Sequence, residues 1–417
     1  MLFIYRILIN IIFILSPIII IFRLLKKKEN FFRFKEKYCF FSCKRKKGKL
    51  IWFHGASVGE LQSIVPLLEK FEKNKKISQI LITSNTLSSS KIIKEIKLKK
   101  VVHQFFPIDI KLLSNFFLNY WKPHAAFFVD SEIWPNMIMS LKKKQIPIIL
   151  INGRITKKTF FRWILFKRFS RKLFNKFSLC FSSSVESKNY LIKLGAKNIF
   201  NVGNLKFSQT EKNIIERYNN FESFIKSKKI WCASSTHYNE EELCGIVHKE
   251  LKQKFKNLLT IIIPRHIHRT SSIKNNLIDQ GLKVHLHEPK KKIDKNTDVY
   301  LVNAYGKNKS FYSNCKNVFL GGSIINHGGQ NPLEAARFGC NIIHGPNISN
   351  FNEIYQFLYK NKISNKINNS KMMLKTLMVL FKKNKNSKII KRKINIIGQK
   401  ILNDTYREIR LLLKNEI

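Results

Sequence analysis

Glu60 closes the run Ile51-Trp52-Phe53-His54-Gly55-Ala56-Ser57-Val58-Gly59-Glu60, in which an apolar strand gives way to small residues and then to the start of a helix. Trp52 and Phe53 suit a buried strand, and Gly55 and Gly59 permit a sharp turn or a close approach to a ligand. A Glu in the first turn of a helix meets unpaired backbone N–H groups and the positive end of the macrodipole, which favour its ionised form. At the carboxyl end of a strand such a carboxylate is placed to serve as a general base, although an ordinary capping residue occupies the same position. Glu132, at the end of Ala125-Ala126-Phe127-Phe128-Val129-Asp130-Ser131, is a second carboxylate at a strand end, with a cap or ion pair as its alternative role. The strand Ile261-Ile262-Ile263-Pro264 ends in Arg265-His266, and Arg265 offers a bidentate phosphate donor if it is not simply a surface ion pair. Val318-Phe319-Leu320 opens into Gly321-Gly322-Ser323, passes Gly328-Gly329, and closes at Asn331-Pro332-Leu333-Glu334 with Asn331 as the expected helix N-cap. A Gly-rich loop feeding a helix N-terminus is an anion site. Glu334, unless it caps the helix, is placed to accept bonds from ribose hydroxyls. No Walker A loop or dinucleotide fingerprint is present, and the set describes a nucleotide-sugar pocket better than an ATPase pocket.

These residues need strands to carry them. Short apolar runs at Ile80–Ser84, Val101–Pro107, Ala125–Glu132 and Ile146–Asn152 alternate with amphipathic segments, which argues a parallel sheet covered by helices. After Ile199–Phe207 and a polar, charged linker, a second series begins at Ile230–Ser235, Leu258–Ile263, Lys283–Leu286, Val299–Val302 and Val318–Leu320. The fold class expected is α/β, with two such domains facing a cleft. The boundaries expected are an anchor over 1–25, a first domain over 26–203 and a second over 204–417.

The chain of 417 residues carries 77 Lys and Arg against 26 Asp and Glu, a formal net charge of +51. That excess attracts anionic surfaces, either nucleic acid or anionic lipid. Lys, Asn, Ile and Phe are inflated together, however, and the lysines fall in scattered runs such as Lys26-Lys27-Lys28, so compositional drift accounts for most of it. Thirty-four phenylalanines and 44% hydrophobic residues exclude a disordered chain. Seven dispersed cysteines with no C-x-x-C pair read as reduced thiols, and no metal site is expected. Leu2–Leu25 is apolar and just long enough to span a bilayer, with Pro17 inside it. Basic residues are denser after it than before it, so an uncleaved anchor would leave the body of the protein on the cytoplasmic side. Lying along the membrane surface is the other arrangement open to it.

The ordered blocks resemble one family, the bacterial transferases of 3-deoxy-D-manno-octulosonic acid (Kdo). They are Trp52 through Glu60, Glu132-Ile133-Trp134-Pro135-Asn136, Gly203-Asn204-Leu205-Lys206-Phe207, Ala233-Ser234-Ser235-Thr236-His237, Pro264-Arg265-His266, Gly321-Gly322-Ser323 through Glu334, and Gly345-Pro346 with Phe351. The resemblance implies a GT-B glycosyltransferase fold and inverting, metal-independent transfer with no cofactor. It also implies CMP-Kdo as donor and a lipid A precursor in the inner membrane as acceptor. By that resemblance Glu60 matches the catalytic base and Glu132 a second acidic residue on the acceptor side. Ser57, Gly59 and Lys206 then belong to the acceptor site. Ser234, Arg265, His266, Gly321, Gly322, Ser323, Asn331 and Glu334 lie in donor-binding motifs. Departures are Asp130-Ser131 before Glu132, Gly153 after Asn152, Asn303 before Gly306 and Lys307 after it; the last two bear on donor contacts rather than on fold or reaction.

On this reading ionised Glu60 removes the acceptor proton while Arg265 and the loop N–H groups stabilise the departing CMP. Lys26-Lys27-Lys28, Arg33 and Lys35 either hold the acceptor phosphates or simply flank the anchor. The Lys-rich stretch over 382–393 and the helical pattern beyond it return to the first domain by fold analogy. Two rivals remain: a GT-B transferase of another nucleotide-sugar, which would release UDP, and a membrane-tethered nucleic-acid binder. The second has charge on its side but no recognisable RNA- or DNA-binding pattern.

Overall fold

The computed structural model describes residues 1–209, 215–382 and 387–414. Residues 383–386 of the Lys-rich stretch and 210–214 of the expected linker lie outside the described residues. The chain divides into two compact units, one comprising 1–210 and 397–417, the other 211–396. Lys206, on the far side of the boundary drawn at 203, therefore belongs to the first unit.

The first unit is built on seven parallel strands: β1 (Lys49–His54), β2 (Ile77–Ser84), β3 (Val101–Phe105), β4 (Ala125–Val129), β5 (Ile148–Gly153), β6 (Leu179–Ser182) and β7 (Ile199–Phe200). Their order is β3-β2-β1-β4-β5-β6-β7. Helices cover both faces, which is why β1 and β4 are apolar on consecutive residues rather than on alternate ones; Leu50–Phe53 and Ala125–Val129 are buried throughout. Trp52 anchors one face, packed on Phe106, Phe117 and Phe128. Phe53 stacks on Phe127 beneath Phe71 on the other. Strand order reverses between β1 and β4, and the crevice outside their carboxyl ends is where an open α/β sheet places its ligand. Glu60 follows the first of these strands and Glu132 the second.

The second unit repeats the plan with β8 (Lys229–Thr236), β9 (Leu258–Pro264), β10 (Val284–Leu286), β11 (Val299–Leu301), β12 (Asn317–Leu320), β13 (Asn341–His344) and β14 (Ser364–Lys366). All are parallel, in the order β10-β11-β9-β8-β12-β13-β14. Its reversal lies between β8 and β12, which end in Ser234-Ser235-Thr236 and Gly321-Gly322-Ser323. Strands β6, β13 and β14 had escaped the sequence reading: they are four, four and three residues long.

Leu2–Leu25 is a single helix, long and apolar enough to cross a membrane. It is docked on the first unit by one stripe. Tyr5 Oη donates to Asp109 Oδ2 (2.7 Å), Arg6 Nε to Asn136 Oδ1 (3.0 Å), Ser16 Oγ lies 2.7 Å from Tyr38 Oη, and Ile20 is buried. The rest of its circumference, including Phe3, Leu8, Ile14 and Ile18, is exposed. The C-terminal helix Ser387–Leu412 also closes on the first unit from residue 397 onward. Tyr406 meets Phe71 edge-on (5.2 Å), and Gly398 lies so close to the Phe207 carbonyl that a Cβ there would collide with it.

Candidate active site

At the reversal point of the first sheet, Ser57 caps the helix Val58–Glu72, its Oγ accepting from Glu60 N at 3.4 Å. The Glu60 carboxylate accepts from Ala56 N (2.8 Å) and Ser57 Oγ (2.7 Å). The capping geometry is thus real, but it does not keep Glu60 at an ordinary acidity. Burial pushes the Glu60 pKa up to about 7, against the Ser57 and Ala56 hydrogen bonds and with help from the nearby charges of Asp130 and Glu132. This corrects the expectation that the helix terminus alone would hold the group ionised. Desolvation and two like charges outweigh the N–H groups. A carboxylate poised near 7 is suited to take a proton at neutral pH. Gly59 has open space where a side chain would stand, so nothing within the protein requires a glycine there.

Glu132 is held from the other side of the reversal. Its Oε2 accepts from Trp134 Nε1 (2.9 Å) and lies 3.1 Å from His54 Nε2. His54, the fully buried last residue of β1, is stacked on Phe106 at 4.0 Å and has Nδ1 3.0 Å from Thr83 Oγ1, which also accepts from Trp52 Nε1 (2.9 Å). Burial works against the charge on Glu132, but the bonds from His54 and Trp134 prevail and hold its carboxyl below the ordinary glutamate value. Neighbouring carboxylates are thereby driven apart in acidity, the arrangement that separates acid and base roles.

Asp130 is the member that motif reading passed over. It directly follows β4 in the left-handed region (φ +58), and Asn152, next to last in β5, shares that region (φ +55). Asn152 Nδ2 bonds the Asp130 carboxylate, and Asn152 Oδ1 accepts from Leu205 N at 3.2 Å. Lys206 Nζ stands 4.0 Å from Asp130 Oδ2. Burial raises the Asp130 pKa, opposed by Lys206, Asn152 and Arg154 and reinforced by Glu132. Two adjacent strand ends in a sparsely populated backbone region mark a place where strain is tolerated for position, and that is the signal in retrospect. Ser57, Gly59, Glu60, Glu132 and Lys206 are therefore gathered within one unit, at one end of one sheet.

In the second unit the glycine loop is arranged otherwise than expected. Gly322 N (2.7 Å), Ser323 N (3.1 Å) and Ile324 N (3.0 Å) all donate to the carboxylate of Glu240, which also accepts from His237 N (3.0 Å) and is buried. The nest of N–H groups assigned to a ligand phosphate is already filled by an internal anion. Gly321 is needed because a Cβ would strike Glu240 and the Ser235 carbonyl. Ser234 and Ser323, also expected at the donor, have their hydroxyls bonded within the protein. Both are fully buried, Ser234 Oγ 2.6 Å from Tyr312 Oη, Ser323 Oγ accepting from Gly345 N at 2.8 Å and donating to the Leu320 carbonyl. Their hydroxyls pin strand ends. The helix after the loop starts at Leu333, not Pro332, and has five residues, too few for a substantial dipole. Asn331 Oδ1 does accept from Leu333 N (3.1 Å), and Glu334 lies 4.0 Å from Lys309 Nζ. Lys307 is paired with Glu216, whose two oxygens lie 2.7 Å from Nζ.

What remains available is a cluster of bases. Arg265 is exposed, its guanidinium bonded to no described residue. His237 lies between His266 and His327, with ring centroids 5.8 and 4.3 Å away, and His268 is 5.6 Å beyond His266. Burial lowers the His237 pKa to about 4, with His327, His266 and Arg265 adding to the effect. Its Nδ1 is 3.0 Å from the Ser235 carbonyl, which can only accept, so Nδ1 carries the hydrogen and Nε2 is left as an acceptor. Buried Nε2 has no partner among the described residues. Such an orphan beside exposed Arg265, His266 and His327 is what a polyhydroxylated, anionic ligand would satisfy. Among the described residues, no three His, Cys, Asp or Glu side chains converge on a metal position.

The family model for 3-deoxy-D-manno-octulosonic-acid transferases matches residues 32–209. The 3-deoxy-D-manno-octulosonic acid transferase of Rickettsia bellii is 33% identical over 95% of this chain and 96% of its own length. That of Rickettsia prowazekii is 33% identical over 86% of this chain and 79% of its own length. Among solved structures, the UDP-GlcNAc 2-epimerase from Neisseria meningitidis bound to UDP-GlcNAc superimposes with a TM-score of 0.59 at 13% identity, over 88% of this chain and all of that one, a likeness of fold alone.

Two outcomes are expected. Removing the acceptor of four N–H groups, three of them buried, by Glu240→Ala costs more than about 3 kcal/mol in equilibrium urea unfolding, since each orphaned buried donor costs about 1–3 kcal/mol. Because the folded pKa of Glu60 lies above its ordinary value, its contribution to stability is full below about 4.5 and is lost as pH rises through about 7. Glu60→Gln, neutral at every pH, should therefore melt higher than wild type at pH near 8, and the difference should vanish towards pH near 5, as read by thermal denaturation.

Proposed function

The chain belongs to the 3-deoxy-D-manno-octulosonic acid (Kdo) transferase family and is a glycosyltransferase; we propose that it moves Kdo from CMP-Kdo to a lipid A precursor, lipid IVA, at the cytoplasmic face of the inner membrane. The observation that carries the reading is the half-buried Glu60, its carboxylate held by Ala56 N and Ser57 Oγ beside Asp130 and Glu132 at the reversal point of the first sheet. Glu60 removes the proton from the acceptor hydroxyl as that oxygen attacks the anomeric carbon of the donor sugar, and CMP leaves from the opposite face. General-base assistance of this kind is worth roughly 10²–10⁴-fold. Glu132, kept ionised by His54 and Trp134, orients the acceptor, and Lys206 balances Asp130 while lying close enough to meet an acceptor phosphate. Ser57 holds the Glu60 carboxylate in position, and Gly59 leaves the acceptor room to approach.

On the donor side, Arg265, His266 and His327 meet the phosphate and sugar carboxylate, and His237 Nε2 accepts from a sugar hydroxyl. Asn331 and Glu334 complete the pocket at the ribose. Leaving-group charge is then stabilised by side chains rather than by the N–H groups that Glu240 occupies. The N-terminal helix anchors the enzyme in the bilayer that contains its acceptor.

Mass spectrometry of the product formed from CMP-Kdo and the tetra-acylated precursor should show addition of Kdo with release of CMP. Glu60→Gln should keep CMP-Kdo binding and lose at least about 10²-fold in turnover. Release of UDP from a UDP-sugar in place of CMP would move the donor assignment to another nucleotide-sugar.

A further inference from the structure

In the second unit a cavity of ≈ 660 Å³ opens at the amino ends of β8 and β12. β8 is eight residues long. At about 3.3 Å per residue, the cavity lies roughly 25 Å from the loops at the carboxyl ends of the same strands. It shares no residue with the basic cluster around His237. Lys226, Lys228, Lys229 and Lys316 line it, and Glu222 is the one carboxylate among its described lining residues. The end of the helix Asn219–Ile225 and the starts of two strands thus bring four cations to one hollow.

A general excess of lysine scatters cations singly over a surface and does not produce the setting of Lys229. Its ammonium lies 4.1 Å from the centre of the Phe255 ring and 5.4 Å from that of Phe381, and the two rings meet edge-on at 5.3 Å. Cation–π attraction fixes the group in place without neutralising it. Lys228 spends its ammonium inside the protein, on the Lys295 carbonyl (2.8 Å). Lys226, Lys229 and Lys316 pair with no described carboxylate, Glu222 included. Asn317, which also lines the cavity, is 2% exposed, and its Oδ1 accepts from Asn341 Nδ2 (2.9 Å). Its own Nδ2 is the end left to donate.

We infer that this hollow is a second ligand site, and that it takes a phosphorylated small molecule of nucleotide size. Three unspent ammonium groups and an amide N–H2 are donors only, the complement of phosphate oxygens. Inorganic phosphate alone would leave most of the volume unfilled, whereas cavities of this size enclose a ligand with an apolar body. Ile225, Ile230 and Leu380 supply the wall for that body, and Glu222 is the acceptor for a hydroxyl or amino group on it. A nucleic-acid strand would need a basic groove to run along. Here the cations converge on a single hollow. The site goes beyond the proposed sugar transfer and is independent of it, since the donor-side residues lie at the opposite ends of the strands.

Isothermal titration of the full-length protein in detergent micelles, with ADP as ligand and adenosine as control, tests the inference. ADP should bind and adenosine should not. Combining Lys229→Gln with Lys316→Gln should weaken ADP binding by about tenfold or more, as the loss of two charge-assisted hydrogen bonds implies. Lys316→Gln alone, at an exposed position, should weaken it in the same direction, which keeps the test decisive if the double variant folds poorly. Arg265→Gln should leave this binding in place, as should Lys274→Gln combined with Lys371→Gln on other helices of the same unit. Absence of ADP binding, or adenosine binding as tight as that of ADP, would overturn the inference. So would a loss through Arg265→Gln with none through the lysine pair, or an equal loss through the control pair. The titration needs no sugar transfer, so failure of the proposed donor or acceptor would leave its result standing.

Discussion

Everything distinctive in the first unit depends on half-burying a glutamate beside two like charges. Glu60 receives two hydrogen bonds, from Ala56 and Ser57. It also shares its surroundings with the like charges of Asp130 and Glu132. The result is a carboxyl that ionises near neutrality, costly to the folded state above that pH and useful for the same reason. The surrounding scaffold serves to hold it there. Trp52, Thr83 and His54 form a buried line that ends on Glu132, and Asn152 ties Asp130 to the Gly203–Phe207 segment that presents Lys206.

The second unit resolves an opposite problem. A turn that exposes three successive N–H groups is an anion trap, and here the trap is closed by Glu240 from the start of the helix Glu240–Lys254. That internal carboxylate fixes the loop after β12 against the end of β8. On the proposed function, anion recognition falls instead to side chains: Arg265, His266 and His327 around His237, whose Nε2 has no partner among the described residues. Rigid loop and adaptable cations are thereby separated, each doing what a shared N–H nest would have combined.

Much of this was legible in the sequence because period and end chemistry agree. Both parallel sheets follow from apolar runs ending in polar residues, and the placement of Glu60 at a helix start follows from Ser57 three positions earlier. Short strands such as Ser364–Lys366 carry too few residues to show a pattern. The role of Glu240 was hidden because its partners lie some eighty residues away, and only folding brings them together. The burial of Ser234 and Ser323 was hidden for a related reason: a serine in a motif has the same letter whether its hydroxyl faces solvent or a buried carbonyl. Desolvation, which sets the acidity of Glu60, is likewise a property of packing and not of spacing.

The central claim is that a desolvated Glu60 is the base. Its most direct measurement is the pH dependence of kcat/KM for the wild-type enzyme, at constant ionic strength and on micellar acceptor. The account predicts a limb rising with pH and levelling above an apparent pKa of about 7. A rate that is level from about pH 5.5 to about 8.5, or that falls across the range, would contradict it.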